Sequence, residues 1–280
     1  MEVNNTDVIS YISFVVNRYN KERKNIDKIG CKEIIKSLII YNELEDYIKD
    51  ITFKDTNDYS MAYSYFDKSI IVNYNFINKK ERNFQVYYKI FGLHDDHYMS
   101  NIDIVYTLIH EVMHAKQYKF LDTSNDVFLK EILRKSLTAV NVTKDNREEM
   151  LRYDEASKKA SIYLYDPAEI NADAEAIKQT ILIIKKMDLP NKQKYISMYE
   201  TMLKTNAIVN YKKHLFGVTS PIEVFFKRRS KYIKDDYKLN KKEIYKYSFD
   251  ERLSYGLCIT KWEYVNLDKE IKSIVYSMIK

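Results

Sequence analysis

The sequence predicts an α+β fold in which helices predominate and a small β-sheet precedes a long helix. Glycine and proline are scarce, with 4 and 3 among 280 residues, whereas average usage is about 7% and about 5%. This scarcity disfavours loop-rich all-β architectures. Apolar residues recur at helical spacing over most of the chain, but the stretch from about residue 60 to 91 is rich in Tyr, Val, Ile and Phe, as β-strands are.

The elements follow in a simple order. Up to about residue 50, apolar residues at helical spacing predict two helices, with Ile9, Ile12, Val15 and Val16 on the first and Ile34, Ile35, Leu38 and Ile39 on the second. Three strands are predicted next, over Met61–Phe66, Ile70–Phe76 and Phe84–Phe91, with a turn at Asp67–Ser69. After Ser100 the helical period returns and continues to the C-terminus.

These changes of pattern suggest three regions, since no repeat and no Gly/Ser-rich or Pro-rich linker divides the chain. An N-terminal helical region covers residues 1–55, a central α+β core covers 56–185, and a C-terminal helical region covers 186–280. A single domain is the alternative, because a chain of this length can bury one large core.

Composition gives little indication of a nucleic-acid or membrane partner. The net charge is +6, from 46 basic and 40 acidic residues. A basic segment, Phe225–Lys242, is interrupted by Asp235 and Asp236, so a solvated helical face is favoured over an acidic or nucleic-acid partner. Cys31 and Cys258 are far apart and are expected to be buried thiols. With no secretory signal and no long apolar run, we expect a cytoplasmic protein, although a mature secreted form has the same features.

The strongest motif is His110-Glu111-Val112-Met113-His114, on a helix predicted over about 101–120 with Ser100-Asn101-Ile102-Asp103 as a capping box. Residues four apart lie one turn apart on one face, so His110 and His114 can bind the same ion. Their imidazoles suit tetrahedral Zn²⁺. Glu111 lies about 100° further around the helix, where it can reach a water as a general base without binding the metal. One zinc ion is therefore predicted.

A zinc site needs a third protein ligand, and Glu169 is the best candidate. Pro167 is expected to begin a helix, on which Glu169, Ala172, Asp173 and Ala176 share one face. The small alanines permit close packing, and Asp173 could accept the free ring N–H of a zinc histidine. Alternatively, Asp166 and Glu169 form a capping box and bind no metal. Glu148, Glu149 and Glu155 are further candidates without a small-residue face.

These two motifs resemble those of the gluzincin metallopeptidases, whose thermolysin-like and lethal-factor-like members combine HExxH with a downstream glutamate on a second helix. The resemblance covers short segments within about residues 60–180. It implies a zincin-like core in which the small sheet packs on the active-site helix, flanked by N- and C-terminal helices. It also implies that an edge strand binds an extended peptide or protein substrate.

The resemblance further implies a mechanism. Glu111 takes a proton from a zinc-activated water, which attacks the scissile carbonyl, and Glu111 then protonates the leaving amine. Tyr163 and Tyr165 resemble the tyrosine that stabilises the oxyanion in lethal-factor-like members, and His214 loosely resembles the corresponding histidine of thermolysin-like enzymes. Packing or surface roles are the alternative for all three.

The expected function is thus that of a zinc endopeptidase. The alternative is a non-catalytic or regulatory zincin-fold binding protein, which could contact nucleic acid through its basic C-terminal segment. An intact Glu111 favours the enzyme, because this carboxylate is not needed for folding around an apolar core. The segment His94-Asp95-Asp96-His97 also has metal-capable side chains, but a solvated turn is the favoured interpretation.

Overall fold

A computed structural model describes residues 5–55, 61–73, 85–93, 97–130, 133, 167–216, 244–254 and 260–279. Over these residues the protein is mostly helical with a small sheet, as predicted, and the sheet has three strands. The helices are α1 (Asn5–Lys21), α2 (Lys28–Tyr41), α3 (Gln85–Ile90), α4 (His97–Thr123), α5 (Pro167–Lys186), α6 (Lys192–Phe216), α7 (Phe249–Ser254) and α8 (Lys261–Ile279). The strands are β1 (Asp50–Lys54), β2 (Met61–Ser64) and β3 (Ser69–Asn73).

The two predicted N-terminal helices are confirmed. Asp27 caps α2, because its carboxylate accepts hydrogen bonds from the backbone N–H groups of Ile29 and Gly30. The hydroxyl of Tyr19 on α1 donates to the same carboxylate. Gly30 faces the Tyr19 ring so closely that no side chain fits between them. The capping residue therefore also joins α1 to α2.

The sheet has the order β1-β3-β2, with β1 parallel and β2 antiparallel to β3. The predicted strands at Met61 and Ile70 are confirmed in position. Strand β1 was not predicted, because it is short, has charged ends and shows no alternation of buried and exposed residues. Within the described part of the chain, strand β2 is at an edge of the sheet, so one side of its backbone is not paired with another described strand.

The predicted strand Phe84–Phe91 is wrong, since its described part forms helix α3. Tyr88 on α3 and Phe91, which directly follows the helix, are each 1% exposed. The Tyr88 hydroxyl donates to Asp103 of α4, and its ring contacts Tyr195. Aromatic residues are compatible with a strand or with a buried helix, so the secondary structure of this segment depends on its tertiary packing.

Helix α4 is longer than predicted and begins at His97, so the capping box at Ser100–Asp103 is wrong. Every residue from Met99 to Ile109 is buried, which makes this half of the helix a core element rather than a surface helix. Asn101 accepts a hydrogen bond from the Ile26 backbone N–H. The polar residues of the supposed cap thus bond to neighbouring elements.

The chain divides into two compact units: Met1–Asp122 with Glu175–Met202 and Ser273–Lys280, and Thr123–Ala174 with Leu203–Lys272. Within the first unit, Gln179 of α5 donates to Met113 Sδ of α4 and to the Asn42 side chain. Within the second, Asn171 of α5 donates to the Ser254 carbonyl. Among the described helices, none combines the length and apolar character needed to cross a membrane.

Candidate metal centre

Helix α4 brings the two histidines of the motif together as predicted. The Nε2 atoms of His110 and His114 are 3.2 Å apart, and both residues are half-buried. Two nitrogens bound to a tetrahedral zinc at about 2.0–2.1 Å are separated by about 3.3 Å. The two imidazoles are therefore spaced as a shared metal ion requires.

Glu169 is in the first turn of α5, which begins at Pro167 as predicted. One ligand atom from each of Glu169, His110 and His114 can be chosen so that all three are within 4.8 Å of one another. Ala172 and Ala176, on the same face of α5, are both fully buried. The three side chains thus form a His-His-Glu group that is compatible with one metal ion.

Glu111 follows His110 but has a different neighbour. Its carboxylate Oε2 accepts a hydrogen bond from the backbone N–H of Tyr63, at 3.0 Å. Tyr63 belongs to the edge strand β2, and its bond to Glu111 shows that its N–H faces away from β3 and towards the helix. Glu111 is 9% exposed. The unpaired edge of the sheet therefore lies directly beside the carboxylate.

Aromatic contacts hold this edge strand against α4. Tyr118, one turn after His114, stacks on Tyr65 with ring centroids 4.1 Å apart, and its ring is 5.8 Å from that of Tyr63. The Tyr63 hydroxyl donates to the Tyr47 carbonyl at 2.9 Å. Burial raises the pKa of the Tyr63 phenol, which keeps this donor protonated. Helix α4 and strand β2 are thus fixed to each other.

Sequence reasoning missed Gln117. The amide oxygen of Gln117 is 3.0 Å from Nδ1 of His114, and Gln117 is 3% exposed. The available signal was its position three residues after His114, on the same helical face. Asp173, which was expected to orient a histidine, is half-buried on α5, and that role stays a prediction.

The remaining candidate residues are not part of the described site. Most of them fall outside the described residues, namely Tyr163, Tyr165, Glu148, Glu149, Glu155, Cys258 and the basic segment Phe225–Lys242. His214 is in α6, but its side chain is also outside the description. His97 begins α4, and its Nε2 lies 3.0 Å from the Asn20 carbonyl, which is a structural contact. His94, Asp95 and Asp96 fall outside the description as well.

No protein-family model, curated protein or solved structure matches the chain. Chemically, the group offers two imidazole nitrogens and one carboxylate, the donor set typical of a three-ligand catalytic metal site. A second carboxylate, Glu111, adjoins this donor set on the same helix. Such an arrangement can bind an ion and transfer a proton next to it.

Proposed function

We propose that the protein is a zinc-dependent metallopeptidase of the gluzincin type that cleaves peptide bonds in protein or peptide substrates. The observation that carries the proposal is the His-His-Glu group of His110, His114 and Glu169, whose chosen ligand atoms are within 4.8 Å of one another. The 3.2 Å separation of the two Nε2 atoms supports one tetrahedrally coordinated ion.

The donor set favours a transition metal such as zinc over magnesium or calcium. Imidazole nitrogens suit zinc, copper, iron and nickel, whereas magnesium and calcium prefer oxygen ligands. His110, His114 and Glu169 would hold the ion with three protein ligands, the number found in catalytic zinc sites that also bind water or substrate. When bound there, zinc supplies Lewis-acid chemistry and lowers the pKa of water to about 7.

In this proposal Glu111 is the general base. It takes the proton of the attacking water and then passes it to the leaving amine, because a carboxylate beside the metal can serve both steps. The Tyr63 N–H bond at 3.0 Å fixes one carboxylate oxygen. The other oxygen is available for the proton. Tyr163, Tyr165 and His214 remain the candidates for stabilising the oxyanion.

The substrate would bind as an additional strand along β2. The backbone N–H of Tyr63 faces the unpaired side of this strand. Because alternate residues of an antiparallel strand face the same side, Met61 also presents its backbone groups there. Because the Tyr63 N–H is already bonded to Glu111, an extended peptide would pair with the backbone groups of Met61 and pass beside Glu111, as the proposed zincin-like arrangement of sheet and helix requires.

The test combines metal analysis with peptide cleavage. Purified wild type should contain one equivalent of zinc, and His114→Ala and Glu169→Ala should lose it. Glu175→Gln, which changes another acid on α5 that pairs with Lys178, should retain it. Glu111→Gln should retain zinc but cleave no member of a peptide library. A wild type without zinc contradicts the proposal, and cleavage by Glu111→Gln contradicts the role of the base.

A further inference from the structure

We infer that Gln117 is a positioning residue that holds the His114 imidazole in the tautomer and orientation needed to bind the metal, an inference that rests on the proposed zinc site. Its amide oxygen is 3.0 Å from His114 Nδ1. The opposite ring nitrogen, Nε2, is the atom that faces His110. Gln117 therefore contacts the ring on the side away from the metal position.

The chemistry of the ring explains what this contact does. A neutral imidazole carries one proton, and only the nitrogen without it can bind a metal. An acceptor at Nδ1 keeps the proton there and leaves the Nε2 lone pair free. The Gln117 amide oxygen is such an acceptor, so the contact selects the metal-binding tautomer of His114 before the ion arrives.

Burial and helix geometry make the contact persistent. Gln117 is 3% exposed, so water competes poorly for its amide oxygen, and leaving such a buried group unpaired is unfavourable. His114 and Gln117 are three residues apart on α4, where adjacent turns hold their side chains close. The ring is thus restrained by the same rigid helix that carries it.

An amide differs from a carboxylate at this position in charge. With two neutral imidazoles and the Glu169 carboxylate as ligands, a bound zinc ion and its ligands would carry a net charge of +1. A neutral amide orients His114 without reducing it further, whereas a carboxylate would also accept from Nδ1 and add one negative charge. Gln117→Glu should therefore preserve the contact, and Gln117→Leu should remove it with little change in side-chain size.

Gln179 provides a matched control. It is a second buried glutamine, 5% exposed, and it contacts the same motif through Met113 Sδ at 3.4 Å. Among the described residues, it makes no hydrogen bond to either histidine. Gln179→Leu therefore removes a buried amide of equal size beside the motif while leaving the His114 ring with its partner.

The experiment measures the zinc dissociation constant by chelator competition for wild type, Gln117→Leu, Gln117→Asn, Gln117→Glu and Gln179→Leu. Gln117→Leu should bind zinc about 10–100-fold more weakly, as is typical for loss of such a partner. Gln117→Asn, whose oxygen falls short of the ring, should also weaken binding and serves if the leucine variant does not fold. Gln117→Glu should remain within about threefold of wild type, and Gln179→Leu should match wild type.

The results for the variants separate loss of the positioning role from loss of the proposed zinc site. If wild type binds zinc and both Gln117→Leu and Gln117→Asn bind it equally well, the positioning role is overturned while the zinc site stands. Equal weakening by Gln179→Leu would also overturn it, because the effect would then be one of general stability. If wild type binds no zinc, the proposed function and this inference fail together.

Discussion

Acid should weaken the second unit through one ion pair. Arg252 is bidentate to Glu263, with N···O distances of 2.9 and 2.6 Å, and their side chains are 7% and 15% exposed. Hydrogen bonds from Arg252, assisted by the Thr260 N–H, lower the pKa of Glu263 from 4.5 to about 2. At 1.36 kcal/mol per pKa unit, this shift corresponds to about 3 kcal/mol of stability.

The direction of the pH effect follows from the lowered pKa. A carboxylate whose pKa is lower in the folded state contributes its full stability above its unfolded pKa, near 4.5. That contribution is lost as the pH falls from about 4.5 to about 2. Glu263→Gln lacks the charge at every pH and leaves Arg252 buried without its ion-pair partner. The two proteins should therefore differ most at neutral pH and converge in acid.

Urea unfolding followed by circular dichroism, from about pH 7 to about pH 2, measures this difference. Wild type should exceed Glu263→Gln by about 3 kcal/mol at neutral pH and by little at the acid end. Glu270→Gln, which removes an ion pair of α8 with a 51% exposed carboxylate, should cost less than about 1 kcal/mol. A difference that stays constant across the pH range would refute the reasoning.

Two further perturbations address α2 and the edge strand. In thermal melts, Gly30→Ala should be destabilised by about 1–3 kcal/mol, because a Cβ there would be 2.6 Å from the Tyr19 ring. The control Ile29→Ala, at a 66% exposed residue, should change the stability by less than about 0.5 kcal/mol. Tyr63→Pro removes the N–H bound to Glu111 without breaking a bond to β3, and should lower peptide cleavage by on the order of tenfold relative to Tyr63→Ala with zinc retained. Equal cleavage by these two Tyr63 variants would show that the N–H does not orient the base.

Several features of the site were predictable because they are local. His110 and His114 face one ion because a four-residue separation is just over one helical turn. Pro167 begins α5 because its fixed φ suits the first helical position. Gln117 could also have been predicted, since three residues separate it from His114, but its 3% exposure depends on the packing around it.

Other features depended on segments distant in the chain. The segment Phe84–Phe91 was mistaken for a strand, because Tyr88 gains its helical position from contacts with Asp103 and Tyr195. Strand β1 was missed because it is defined by parallel pairing with β3, which no local pattern records. Asp103 lies in the interior of α4 rather than at a cap, since the helix continues back to His97.

The sequence by itself determined that two histidines and a carboxylate share one helix in metal-binding order, because the period of the α-helix alone sets their spacing. Tertiary structure decided that Glu169 comes within reach of those histidines and that the N–H of Tyr63, 48 residues before Glu111 in the chain, binds the Glu111 carboxylate. The physical reason is that helical periodicity acts between neighbouring turns, whereas contacts between distant segments depend on how whole elements bury their apolar faces.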